Sequence, residues 1–153
     1  MKTQDGFQYS DLTNSLIGNK NISIVASKWN DGIVSKMVNE SLKHLGSLNV
    51  TNVEVLRVPG AWEIPFGCLK AIERGADGII AFGAIIKGET PHFDIISNTS
   101  SQALMDITLH SMVPRAPGLL ATNNLEQAEE RASPTCLNKG KEITQSLLEM
   151  MEI

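Results

Sequence analysis

"GIIAFGAII", residues 78–86, followed by "DIISNTSSQALMDITLHS", residues 94–111, decides the fold. The first segment is an almost unbroken apolar run with turn residues after it. A run of that length fits a strand covered on both faces, because a strand with one wet face would alternate. The second is long enough for a helix that would lie across such a strand.

The same strand-then-helix pattern occurs three more times. "NISIVAS" precedes "DGIVSKMVNESLKHLG", where Ile33, Val34, Met37, Val38, Leu42 and Leu45 recur at helical spacing and Gly46 ends the pattern. "NVEVLRV" precedes "EIPFGCLKAIERG", and "GLLAT" precedes a helical tail that begins at Leu125, resumes near Asn138 and runs towards Met151. Strands alternating with helices imply right-handed crossovers and a parallel sheet covered on both sides. The expected class is α/β: a flavodoxin-like three-layer α/β/α sandwich around a central parallel sheet of four main strands, with residues 78–86 near its centre. Residues 21–153 are read as a single domain. Residues 1–20 are polar, weakly periodic and glycine-punctuated, so they read as an arm that orders only if something outside the core holds it.

At 153 residues one ordinary core suffices, since a domain of this size buries roughly 70% of its unfolded surface. The chain is 42% hydrophobic and 20% charged, and its formal net charge of -4 argues against nucleic-acid binding through a broad basic face. No apolar run approaches the roughly 20 residues that span a bilayer, and no signal-type segment follows Met1. Cys68 and Cys136 are widely separated, which points to a reducing cytoplasm, free thiols and packing roles. Partners are therefore expected to be small molecules or further copies of the chain.

Open parallel sheets bind ligands outside the carboxyl ends of their strands. The loops there are "SKWND" (27–31), "VPGAWEIP" (58–65), "IKGETPHFD" (86–94) and "LATNNLEQ" (120–127), and they hold both tryptophans, Trp29 and Trp62, together with His92. Tryptophan at a strand end can stack on a planar ligand or serve as a packing lid. "KGETPH", entering a helix, offers an anion site: Gly88 lets amides turn towards a ligand, Thr90 adds a hydroxyl, and the helix start adds its positive end. The same loop reads equally as a plain helix cap. Glu89 would repel an anion unless it points outward.

Of the three histidines, His44 and His110 fall on helices, where solvated or helix-end roles suffice. His92 lies in the candidate loop with Asp94 near enough to orient its ring, and imidazole can move protons in both directions near neutral pH. No HxxxH or CxxC spacing places a second metal ligand beside it, so no metal is expected. GxGxxG, GxxxxGK[ST] and GxSxG are all absent.

Four loops jointly resemble one family. "SKWN", "VPGAWEIP", "GAIIKGETPHFD" and "NNLEQAEERA" with "NKG" are similar, in order and spacing from about Ile22 to Met151, to the motifs of the 6,7-dimethyl-8-ribityllumazine synthases. The resemblance implies condensation of 5-amino-6-(D-ribitylamino)uracil with 3,4-dihydroxy-2-butanone 4-phosphate, with loss of phosphate and water, in the penultimate step of riboflavin biosynthesis and without cofactor or metal. Carried over by position, His92 is the proton-transfer residue. Trp29 stacks on the pyrimidine, while Ala61, Trp62 and Glu63 bind its ring and ribityl chain. Ala84, Ile85 and Ile86 line the heterocycle, Gly88, Glu89 and Thr90 form the phosphate loop, and Arg131, with Lys139, clamps the phosphate. The implied partners are the two small-molecule substrates, further copies of the chain in pentamers or an icosahedral shell, and riboflavin synthase. The site would lie between adjacent subunits, with the arginine donated by the neighbour.

Three departures accompany the resemblance. Arg115, Ala116 and Pro117 stand where the family has an apolar run ending in phenylalanine, and Pro117, a candidate pocket residue, has no N–H to donate. Lys87 replaces an arginine, and "ASPTCLNKG" lacks the early glycines of the segment associated with shell packing. The rival reading from another class is a non-catalytic flavin- or lumazine-binding or shell-forming homologue. Joint retention of Thr90, His92 and Arg131 weighs against it, because a pure ring binder needs neither a phosphate clamp nor a proton shuttle.

Overall fold

Within the computed structural model, which describes residues 6–13 and 16–153, the aliphatic run Ile22–Ser27 forms β1 and is buried along its whole length. Val53–Val58 forms β2, Gly78–Ile86 forms β3 and Arg115–Thr122 forms β4. All pairings are parallel and the strand order is β2-β1-β3-β4, so β1 and β3 are interior and the other two are edges. The α/β sandwich expected from the alternating pattern is the architecture found.

The helices are α1 (Asp31–Ser47), α2 (Ile64–Glu73), α3 (His92–Ser111), α4 (Leu125–Ala132) and α5 (Lys139–Met151). Along β3 the side chains alternate between two cores. Ile80, Phe82 and Ala84 join residues of α1, α4 and α5 on one face, while Ile79 and Ala81 join α2 and α3 on the other. Ile80 and Phe82 are fully buried, and each such side chain contributes roughly 1.5–3 kcal/mol. Among the described residues no helix is long and apolar enough to cross a membrane.

Two boundaries differ from the sequence pattern. Helix α1 runs through Gly46 and ends where Asn49 takes a left-handed φ of 59°. An interior glycine costs a helix only about 1 kcal/mol, less than burial of Leu45 returns. Strand β4 starts at Arg115 instead of Gly118 and so runs through Pro117. Ile79 N–H donates to Pro114 and Lys87 N–H to Thr122, with Ile79 opposite Arg115. In that register residues 115, 117, 119 and 121 turn their amides to the free edge, where a missing N–H breaks no ladder bond.

Part of the N-terminal arm is laid on the molecule's own surface. Ser10 N–H donates to Glu149 Oε1 at 2.9 Å, Gln145 Nε2 donates to Ser10 O at 2.9 Å, and the Lys141 ammonium sits 5.2 Å from the centre of the Tyr9 ring. Ile17 is buried in the α1–α5 core. Residues 1–5, 14 and 15 of the expected arm lie outside the described residues.

The close approach of α5 to α1 depends on one glycine. A Cβ on Gly140 would stand 2.5 Å from Met37 O and 2.8 Å from Met37 Cα. Gly140→Ala is expected to lower the unfolding free energy by about 1–3 kcal/mol, although alanine is the better helix former. The measurement is the urea midpoint at constant m-value; an unchanged midpoint would show that the two helices separate freely.

Candidate active site

The carboxyl ends of β1, β2 and β3 open onto a cleft of about 790 Å³. It forms because each strand ends in a turn fastened to its neighbour. After β1, Lys28 N–H donates to Val58 O at 2.8 Å and Trp29 N–H to Pro59 O at 3.1 Å. Arg57 donates to Ser27 O at 3.0 Å and pairs with Asp31, closing the same turn from the β2 side.

Asn30 is the hinge of this corner. It adopts a left-handed conformation at φ 56°, ψ 43°, which asparagine tolerates better than most residues, and it precedes α1. Its Nδ2 donates to Ala84 O at 2.7 Å, tying the β1 turn to the end of β3. After β2, Glu63 Oε2 accepts from Gly60 N–H at 2.8 Å and holds the short turn Ala61–Glu63 against the sheet. A Cβ on Gly60 would stand 3.1 Å from Trp29 Cδ1 and 3.2 Å from Glu63 Oε2, a tight fit to which those side chains would have to yield.

Eight of the sequence candidates line this cleft: Trp29, Ala61, Trp62, Glu63, Ala84, Ile85, Ile86 and His92. Trp29 is 73% exposed and Trp62 54%. Neither ring is buried against its own fold, and both present a large apolar surface at the cleft. His92 is the first residue of α3 and is exposed in the same cleft. Asn30, Gly60, Ile95 and Ile96 also line it and were not among the candidates. The isoleucines were legible, because positions three and four after His92 fall on one helix face. Gly60 was not, since its place depends on where Trp29 comes to rest.

The loop between β3 and α3 stands at the margin of the cleft. Gly88 is absent from the positive-φ glycines, which among the described residues are Gly6 and Gly75. Its conformational freedom is therefore unused here, and Gly88, Glu89 and Thr90 are exposed and stand beside the cleft instead of in its lining. Asp94 makes no hydrogen bond to His92; residues two apart on a helix do not face each other, so the expected orienting contact is replaced by separation.

Pro117, Arg131 and Lys139 do not line the cleft either. Pro117 is exposed on the outer edge of β4. Arg131 Nη1 donates to Gln127 O at 2.9 Å on α4 and lies 3.6 Å from Glu130, and Lys139 Nζ donates to Glu142 Oε1 at 2.7 Å on α5. Among the described residues the cleft lining contains no lysine or arginine, and its ionisable groups are Glu63 and His92. No three His, Cys, Asp or Glu side chains of the described residues gather as a metal site. One chain thus assembles an apolar, aromatic-walled cleft with a histidine at its rim, and keeps its cations elsewhere.

The family model described as 6,7-dimethyl-8-ribityllumazine synthase matches residues 19–153. Among curated relatives, the 6,7-dimethyl-8-ribityllumazine synthase of Nitratidesulfovibrio vulgaris (strain DP4) is 42% identical over 134 residues, 86% of each chain. That of Nautilia profundicola is 41% identical over 142 residues, 90% of this chain and 92% of the relative. That of Leuconostoc mesenteroides is 41% identical over 139 residues, 88% of each.

The Asn30 corner makes a graded prediction. Asn30→Gly keeps the left-handed turn at ease and loses the bond to Ala84 O, whereas Asn30→Ala loses that bond and adds roughly 1–2 kcal/mol of backbone strain. Thermal unfolding should rank wild type above Asn30→Gly and Asn30→Gly above Asn30→Ala; equal losses would show that the side-chain bond alone selects asparagine.

Proposed function

The chain belongs to the 6,7-dimethyl-8-ribityllumazine synthase family, and from that membership we propose that it condenses 5-amino-6-(D-ribitylamino)uracil with 3,4-dihydroxy-2-butanone 4-phosphate. The amine attacks the ketone and loss of water gives a Schiff base. Phosphate leaves with the electrons of its C–O bond, and the ribityl-bearing nitrogen closes the ring with loss of a second water. These steps need planar binding, proton transfer and charge neutralisation more than a nucleophile.

The observation that carries this reading is the division between the cleft and the cations. Trp29 and Trp62 offer faces to the pyrimidine, and the end of β3 at Ala84, Ile85 and Ile86 lines the space for the heterocycle. His92 stands at the cleft rim to take a proton from the reacting carbon or amine and return it to the departing oxygen. A phosphate placed by Gly88, Glu89 and Thr90 has one cation of its own chain adjacent in sequence, the exposed Lys87, and the cleft lining adds no other. Arg131, with Lys139, fits that need when supplied by an adjacent copy, so the working unit is a ring of subunits, a pentamer or a shell built from pentamers. Pro117, exposed on the β4 edge, joins the same facing half of the pocket. A cytoplasmic setting goes with this work and with two unpaired cysteines, Cys68 and Cys136.

Mixing the purified chain with both substrates should give a product followed by its absorbance and fluorescence; a correctly assembled protein giving no rate above the spontaneous background would leave a binding module instead. His92→Ala is expected to lower turnover roughly 100- to 10,000-fold with ligand affinity largely kept. Retention of the wild-type rate would assign the acceleration to proximity and charge.

Shared sites make a further prediction. When His92→Ala and Arg131→Ala chains are co-assembled in equal amounts, about a quarter of the interfaces should be complete and activity should return to that fraction. Failure of complementation, with mixed assembly shown by mass, would place Arg131 in the site of its own chain.

A further inference from the structure

Gly60 is buried just after β2 and lines the cleft beside Trp29. Its backbone, at φ −146° and ψ −176°, is extended and open to any residue, so conformation is not what calls for glycine here. Room for neighbouring side chains is. A Cβ at this position would stand 3.1 Å from Trp29 Cδ1, 3.9 Å from Trp29 Nε1 and 3.2 Å from Glu63 Oε2, where ordinary contact begins at 3.4 Å. The five-membered edge of the indole therefore rests against the bare Cα of Gly60.

The backbone keeps the two residues together. Lys28 N–H donates to Val58 O and Trp29 N–H to Pro59 O, which clasps the turn after β1 to the chain entering Gly60. Of the two side chains near the missing Cβ, Glu63 is the more firmly held. Its carboxylate accepts from Gly60 N–H at 2.8 Å, and its own N–H donates to Gly60 O at 3.2 Å. The Trp29 side chain is 73% exposed and has open space to turn into. A methyl group at position 60 would therefore displace the ring and leave the carboxylate in place.

We propose that Gly60 is a positioning residue for the pyrimidine, acting through Trp29: it seats the ring at the depth where its face meets a planar ligand in the cleft. The identity of the ligand rests on the function proposed above, whereas the seating does not. Stacking is sensitive to depth, because a gap of roughly 0.5–1 Å forfeits a quarter to a half of each dispersion contact. Contact of a base with an aromatic ring supplies a large share of the affinity for a flat heterocycle. A ring pushed forward by a Cβ would either crowd the ligand or tilt away from it, and both outcomes weaken binding.

Calorimetric titration of the full-length chain with 5-amino-6-(D-ribitylamino)uracil alone tests this without turnover. Gly60→Ala should weaken binding roughly 2- to 10-fold, and in chains that also carry Trp29→Ala the same substitution should change nothing further. The ring itself is followed in Trp62→Phe chains, where Trp29 is the one remaining tryptophan; there Gly60→Ala should alter its fluorescence lifetime and anisotropy decay. Unchanged affinity, unchanged decays, or a loss that persists without Trp29 would overturn the proposal, the last assigning Gly60 to Glu63. A Gly60→Ala chain unable to fold would overturn it too, placing the glycine in the fold instead of the site. Wild type that binds the pyrimidine but forms no product would defeat the proposed reaction and leave the role of Gly60 standing; wild type that does not bind it would defeat both.

Discussion

Because β1 and β3 are covered by helices on both faces, a large polar side chain carried along their length would need a buried partner at every position. Chemistry is therefore displaced to the strand ends, where the backbone leaves the sheet and side chains can reach solvent. The two-sided burial of β3 also sets what supports the cleft: Ala84 is still buried while Ile85 and Ile86 begin to emerge. The floor of the site is thus the last part of the core, and its rim is the first part of the loops.

Rigidity at that boundary comes from short polar ties. Asn30 to Ala84, Glu63 to Gly60 and Arg57 to Ser27 join the ends of three strands without placing a cation in the cleft. An apolar, aromatic surface with one histidine is well suited to a flat heterocycle and poorly suited to a phosphate by itself. Both tryptophans are exposed at the cleft, while Arg131 is held on α4 by Gln127 O, away from it. Arg115 shows the opposite arrangement, a cation drawn into the interior, where Leu104 O and Thr108 Oγ1 accept from its Nη1.

Much of this was legible before any coordinates. Runs of apolar residues separated by helical periods specify parallel strands and crossovers, since period and length alone distinguish the elements. The loops at the strand ends could be ranked because both tryptophans and His92 fall in them. Asn30 was visible as part of "SKWN", but its bond to Ala84 O spans 54 positions and has no local signature. The reach of β4 through Pro117 was equally hidden, because proline is forbidden or harmless according to which way its nitrogen faces.

Sequence by itself determined the α/β class, the strand-end location of the site and the chemical types gathered there, since these follow from local periodicity and from residue identity. Only the tertiary structure decided which candidates share a cleft. That depended on strand order and on helix direction, which place His92 with Trp29 and Trp62 and leave Arg131, Lys139 and Pro117 on other surfaces. It also decided that Arg115, a surface residue by type, is buried, because burial is a property of the packed layers and not of the residue.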